Sequence, residues 1–298
     1  MRMVVTGRHG QVVTAMAELA QDHHMITVVP LGRPALDLAD LGSIDQALVN
    51  AKPDIIVSAG AYTAVDQAES DDELAMTING RAPSMIADTA ARLDVPLIHI
   101  STDYVFDGCG ATAYREDDPV NPVSVYGQTK RAGEEAVMAA GHDHAIVRTS
   151  WVYSPFGNNF VKTMLRLAAE RDLVAVVADQ KGAPTSAFDI AQGLFTMADQ
   201  MLMHRGDPER RGIFHLTGAT STDWATFAEG IFAASAACGG PSAAVRRITT
   251  ADYPTAARRP SNSRLDNGKL LTHFGISPPS WTQSIIPVVE RLLKTDRG

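Results

Sequence analysis

The chain has 298 residues, 45% of them hydrophobic and 20% charged, with a formal net charge of −8. This is the composition of a folded, enzyme-sized α/β protein, and it excludes collagen-like, disordered and membrane-spanning classes. The negative balance argues against a broad nucleic-acid surface but leaves room for a local pocket for one anion, for which Arg258, Arg259 and Arg264 are candidates.

Length fits one large domain, or a large domain with a smaller lobe. Cys109 and Cys238 lie far apart without metal or redox spacing, so both read as structural in a reducing compartment. A strand candidate starts at residue 3, which leaves no room for a signal peptide, and no apolar run reaches membrane-spanning length, so the expected location is the cytoplasm. There are no internal repeats, and the only linker-like patch is Gly239-Gly240-Pro241-Ser242.

Short apolar runs at 3–6, 26–31, 54–58, 96–101 and 145–149 read as strands. Stretches of helical spacing at 11–21, 43–51, 74–93 and 124–140 alternate with them. Alternation of this kind predicts a doubly wound, Rossmann-like parallel sheet over residues 1–150. Beyond residue 150 the pattern is mixed, with a helix near 159–170, a strand at 213–216 and a closing helix at 281–294. Residues 151–298 therefore read mainly as a smaller substrate-binding lobe interleaved with late elements of the sheet.

Gly7 and Gly10 follow the first strand directly, where glycine permits a sharp turn and lets backbone amides approach a pyrophosphate at a helix N-terminus. Gln11 and Val12 continue that turn. Val13 occupies the third glycine position of the fingerprint, so its branched side chain needs a shifted helix or a smaller residue opposite. The second strand ends without an acidic residue for a ribose 2′-hydroxyl; Arg33 is placed instead to meet a 2′-phosphate. This favours NADPH, with NADH as the other candidate. Asp37 and Leu38 are placed for the adenine, and Ala59, Gly60, Ala61 and Thr63 for the ribose and nicotinamide. Each signal alone is equally that of an ordinary strand-to-helix turn or a solvated loop charge.

Tyr126 and Lys130 lie four residues apart on the helix predicted over 124–140, so both side chains leave one face. A ketone that accepts hydride at carbon develops negative charge on oxygen and needs a proton donor in reach. Tyr126 is the candidate donor. The Lys130 ammonium is expected to lower the phenol from its usual pKa of about 10 and to hold the nicotinamide ribose. Thr102, at the end of the fourth strand, is expected to hold the substrate oxygen beside Tyr126.

These segments resemble the dTDP-4-dehydrorhamnose reductase family of extended short-chain dehydrogenases/reductases. The blocks that carry the resemblance run nearly end to end: Gly7-Arg8-His9-Gly10-Gln11-Val12, Ala61-Tyr62-Thr63-Ala64-Val65-Asp66, Ser101-Thr102-Asp103-Tyr104-Val105-Phe106, Tyr126-Gly127-Gln128-Thr129-Lys130, Arg148-Thr149-Ser150-Trp151-Val152-Tyr153, Gly157-Asn158-Asn159-Phe160, Asp179-Gln180-Lys181-Gly182-Ala183-Pro184-Thr185 and Arg259-Pro260-Ser261-Asn262-Ser263-Arg264-Leu265. The resemblance implies reduction of the 4-keto group of dTDP-4-dehydro-6-deoxy-L-mannose by NAD(P)H. It places Thr102, Asp103, Tyr104 and Trp151 on the sugar side, with Arg259 and Asn262 toward the nucleotide diphosphate.

Some members of the family use carboxylates to hold magnesium between subunits. The matching positions here are Ala15 and Phe188, which cannot ligate a hard cation, and only Glu290 remains as a matching carboxylate. No metal and no magnesium-bridged dimer are therefore expected, and the oligomeric state stays open. Two rivals share the fold. A nucleotide-sugar dehydratase or epimerase is disfavoured because Tyr104, not glutamate, follows Thr102-Asp103. A non-catalytic regulatory subunit, like the one that partners methionine adenosyltransferase, is disfavoured by the retained Thr102, Tyr126 and Lys130.

Overall fold

The computed structural model describes residues 1–141 and 143–295. Six strands form one parallel sheet in the spatial order Gly212–His215, His144–Thr149, Leu97–Thr102, Ile55–Ser58, Arg2–Thr6 and Thr27–Leu31. Alternation along each strand feeds two cores. Met3, Val5, Val57, Ile98 and Val147 face one layer, in which helices Gln11–Leu19 and Ala187–Met203 pack together. Val4, Ile56, Leu97 and Ile146 face the other, formed by Ile44–Ala51, Ala82–Leu93 and part of Val125–Ala139. Both faces of every inner strand are thus covered, as a parallel sheet requires. Each fully buried Val or Ile adds roughly 1.5–3 kcal/mol.

A smaller lobe has its own core, in which Val161 and Leu165 of helix Phe160–Glu170 meet Phe227 and Ile231 of Trp224–Ala237 and Ile285 and Val289 of Trp281–Thr295. Strands Leu173–Val177 and Ala244–Ile248 form a separate parallel pair within it. The glycine-rich patch at 239–242 is no loose linker, since Gly240 N donates to Ser235 O (2.9 Å) and the Ser235 hydroxyl to Pro241 O (2.6 Å), fixing the turn between helix and strand.

The helix predicted over 74–93 starts earlier, at Asp72, and contains a π-helical turn, Thr77–Arg81. Helix Trp224–Ala237 is not apparent in the sequence pattern, because it is apolar around most of its circumference and so lacks a polar stripe to mark the period, whereas Ala187–Met203 carries such a stripe at Asp189, Gln192, Thr196 and Asp199 that the sequence reading passed over. Among the described residues no helix is long and apolar enough to cross a membrane.

Candidate functional site

The strand order reverses direction between Arg2–Thr6 and Ile55–Ser58, and the crevice at the C-terminal ends of these strands is where such sheets bind ligands. The Thr6 hydroxyl accepts from the backbone N–H groups of Ala59 (3.0 Å) and Gly60 (3.1 Å), which ties the two strand ends together at this point. A cavity of about 900 Å³ opens there. It is lined by every residue expected to contact the cofactor: Gly7, Gly10, Gln11, Val12, Arg33, Asp37, Leu38, Ala59, Gly60, Ala61, Thr63, Tyr126 and Lys130.

Gly7 has φ +107°, a conformation that disfavours any side chain, and a Cβ there would sit 3.3 Å from Val13 Cγ2. The smaller residue that accommodates Val13 is therefore Gly7 itself, and Val13 is buried without displacing the helix from the sheet. A Cβ on Gly60 would meet Leu38 Cδ1 at 2.6 Å, so this glycine allows Leu38 to close over the crevice. Gln11 is committed to the protein: its Oε1 accepts from the Ser154 hydroxyl (2.7 Å) and Asn159 Nδ2 (3.0 Å), and its Nε2 donates to Val152 O (3.3 Å). Arg33 is 82% exposed, with Asp37 4.0 Å away, and Arg8 Nη1 donates to its carbonyl (3.2 Å). Arg8 lines the same cavity and is a second cation that sequence reasoning passed over.

At the other end of the cavity Thr102, Asp103, Tyr104, Tyr126, Lys130 and Trp151 come together. Ser124 caps helix Val125–Ala139 by accepting from Gly127 N (3.2 Å), which fixes the turn that carries Tyr126. Lys130 Nζ donates to Ile100 O (2.6 Å), at the end of the neighbouring strand. The sequence leads one to expect that Lys130 draws the Tyr126 phenol down. Instead, burial pushes the phenol well above its ordinary range, Asp103 and Tyr104 add to the rise, and only the Thr102 hydroxyl opposes it. Burial likewise lowers Lys130 to about 8, against an upward pull from Glu134. The reason is desolvation: both groups are packed into the protein at the crevice, where the charged form of each is penalised.

Asn79, in the π-helical turn, was not visible as a site residue. Its Oδ1 accepts from Tyr62 N (2.8 Å), and its Nδ2 donates to Tyr62 O (3.0 Å) and Thr129 Oγ1 (3.1 Å). It thus ties the 59–63 loop to the helix bearing Tyr126 and Lys130. A Cβ on Gly133 would lie 2.2 Å from Asn79 O, so the glycine allows that close approach. A π-helical turn is the one available sequence-independent flag for such a residue.

Trp151 has φ +46° and lies flat on Trp224, with ring centroids 3.5 Å apart at 7°; Phe160 lies 4.6 Å from Trp224. Gly182 faces the Trp151 ring, and a Cβ there would fall within 2.3 Å of it. Gly182→Ala is expected to lower stability by about 1–3 kcal/mol through overpacking and to displace Trp151. Thermal denaturation together with tryptophan fluorescence checks this.

The three arginines proposed for an anion pocket do not converge. Arg259 Nη2 meets Asp66 Oδ2 (2.6 Å), Arg259 Nη1 donates to the Tyr104 hydroxyl (3.1 Å), and Tyr104 packs edge-on against Tyr126 at 5.6 Å. Arg259 therefore reaches the site only through Tyr104. Arg264 is tied to Asn262 Oδ1 (2.7 Å) and Ala111 O (2.6 Å), and Arg258 is exposed. Asn262 is buried and does not line the cavity; it donates to Gly110 O and Thr112 O (2.7 Å each) and so braces the 108–112 loop. At the positions compared with a metal site, Ala15 is buried and Phe188 packs on Phe156 (5.7 Å). Among the described residues no three His, Cys, Asp or Glu side chains are grouped to hold a metal.

Residues 1–294 match the family model described as RmlD substrate binding domain. A dTDP-4-dehydrorhamnose reductase of Sinorhizobium fredii is 48% identical over 98% of each chain. The chain belongs to the dTDP-4-dehydrorhamnose reductase family. Two solved members of this family superpose over nearly their whole length. One, from Clostridium acetobutylicum, is 33% identical with a TM-score of 0.90, covering 98% of this chain and all of the other. The other, from Bacillus anthracis and solved in complex with NADP, is 33% identical with a TM-score of 0.85 and covers 96% and 98%.

Proposed function

We propose that this protein is an NADPH-dependent reductase that converts the 4-keto group of dTDP-4-dehydro-β-L-rhamnose to the alcohol of dTDP-L-rhamnose. The observation that carries this reading is the meeting of Thr102, Tyr126 and Lys130 at the end of a cavity that begins at the Gly7 turn. The backbone at Gly7, Gly10 and Gly60 fits a dinucleotide, since side chains at the first and last of these would occupy its path or force Val13 and Leu38 to move.

A nicotinamide held along this cavity by the Gly7 turn, Tyr126 and Lys130 would supply hydride for the keto carbon. Tyr126 gives its proton to the keto oxygen. A phenol that burial keeps neutral retains this proton until negative charge develops beside it. Lys130, anchored on Ile100 O, lines the same cavity and would hold the nicotinamide ribose. Thr102 orients the oxygen, and Trp151, backed by Trp224, forms an apolar wall for the deoxy face of the sugar. Tyr104 and Arg259 stand at the rim toward the diphosphate.

The deciding experiment follows NADPH absorbance when purified protein meets enzymatically prepared dTDP-4-keto-6-deoxysugar and its epimerase. Oxidation of NADPH with formation of dTDP-rhamnose is expected; cofactor binding without turnover defeats the reading and favours a regulatory role. Arg33→Ala is expected to weaken NADPH binding about tenfold while leaving NADH binding nearly unchanged, the difference being the 2′-phosphate contact. Titration of each cofactor by fluorescence checks it, and an equal loss for both would remove Arg33 from cofactor selection.

A further inference from the structure

The single hydroxyl proton of Thr102 is already committed within the protein. Thr102 Oγ1 donates to Asp103 Oδ1 (2.9 Å) and accepts from Tyr104 N (3.2 Å). A threonine hydroxyl has a single proton and two lone pairs. With its proton directed to an Asp103 carboxylate and a lone pair taken by Tyr104 N, Thr102 has no donor left for a substrate oxygen. The Asp103 side chain is 2% exposed at the floor of the cavity, and its Oδ2 makes no hydrogen bond of good geometry although the Ser263 hydroxyl lies beside the carboxyl.

We propose that Asp103 is a positioning residue whose protonation reverses the Thr102 hydrogen bond: the neutral carboxylic acid donates to Thr102 Oγ1, and Thr102 then donates to the reacting oxygen. This rests on the reading of Tyr126 and Thr102 as the ketone-reducing pair. No bond other than hydrogen bonds changes in the reversal, and the proton on Asp103 is taken up from solvent before the chemical step. The surroundings permit the neutral form. Burial raises Asp103 to about 6, opposed by the Ser263 and Thr102 hydroxyls and by the backbone N–H groups of Asp103 and Tyr104. The groups that face it are Tyr104 on its own turn, Tyr126 and Lys130 from helix Val125–Ala139, and Ser263 from the C-terminal segment, with Arg259 and Asp66 acting through Tyr104. None of these places a cation in direct contact with the carboxyl among the contacts described.

The sign follows from the state that helps. The donor polarity exists while Asp103 is protonated, so kcat falls as pH rises through the Asp103 pKa of about 6. The loss is on the order of 10², the usual worth of one oxyanion donor. The test is the pH dependence of single-turnover NADPH oxidation with the dTDP-4-keto-6-deoxysugar for wild type, Asp103→Asn, Thr102→Ala and Thr102→Ser. Wild type and Thr102→Ser are expected to share the descending limb. Asp103→Asn, whose amide donates at every pH, and Thr102→Ala, which has nothing to reverse, are expected to lack it. A structural role for Asp103 would scale the rate equally at all pH values. Persistence of the limb in Asp103→Asn or in Thr102→Ala, or its absence from wild type, overturns the proposal. If Tyr126→Phe turns over like wild type, the reductase chemistry itself has failed, which is a separate result.

Discussion

Tyr126→Phe is expected to bind NADPH as wild type does and to reduce the keto-sugar roughly 10²–10⁴-fold more slowly, the usual contribution of a positioned general acid. The substitution keeps the ring, and with it the edge-on contact to Tyr104, and removes only the proton. The helix turn beneath the residue is fixed by the Ser124 cap, so the substitution leaves the surrounding backbone in place. Single-turnover rates alongside NADPH titration separate the two effects. Turnover near the wild-type rate would dismiss Tyr126 as the donor, whereas a loss of cofactor binding would point to a structural role for the hydroxyl.

The second large effect concerns stability. Arg148, on strand His144–Thr149, meets Glu134 on helix Val125–Ala139 in a bidentate pair, Nε to Oε1 at 2.9 Å and Nη2 to Oε2 at 2.7 Å, with both side chains 2% exposed. The guanidinium also lies over the Phe106 ring at 4.9 Å. Removal of one partner leaves a buried charge uncompensated, which costs about 3–5 kcal/mol, whereas replacing both by apolar residues of similar volume is often close to neutral. Glu134→Ala is therefore expected to destabilise by that amount, and Glu134→Leu with Arg148→Met to recover most of it. Urea denaturation of wild type and the two variants checks this, and a double variant no more stable than Glu134→Ala would contradict it. Glu134 stands one helical turn beyond Lys130 and supports its ammonium, so the single variant should also shift Lys130 toward its neutral form.

How far the sequence reveals this molecule depends on which physical signal each feature leaves. The parallel sheet leaves strand-length apolar runs separated by helices, and the predicted strand ranges match the observed ones to within one or two residues. Cofactor-side residues were legible because glycine at a strand end has few other uses, and Tyr126 and Lys130 because helical spacing fixes their common face. Asn79 left no such mark: it lies 17 residues after Tyr62 and 50 before Thr129, and only folding shows that one amide serves both. Asn262 misled for the opposite reason. An amide in a polar, arginine-rich segment suits a diphosphate equally well, and only the carbonyls of Gly110 and Thr112 reveal that its donors are already used. The direction of the Tyr126 shift was likewise beyond a sequence argument, which counts the neighbouring Lys130 charge but cannot measure burial.

Strand Gly212–His215, which completes the six-stranded sheet, is encoded after the chain has already passed through the first half of the smaller lobe. During synthesis the ribosome therefore delivers His144–Thr149 more than sixty residues before the partner that covers its open edge. For that interval the nascent chain carries an unpaired row of backbone donors and acceptors beside a strand made of Ala145, Ile146 and Val147. Neither lobe can be released as a finished unit ahead of the other, and a gene cut near residue 150 would encode a fragment with a sticky edge in place of a cofactor-binding module.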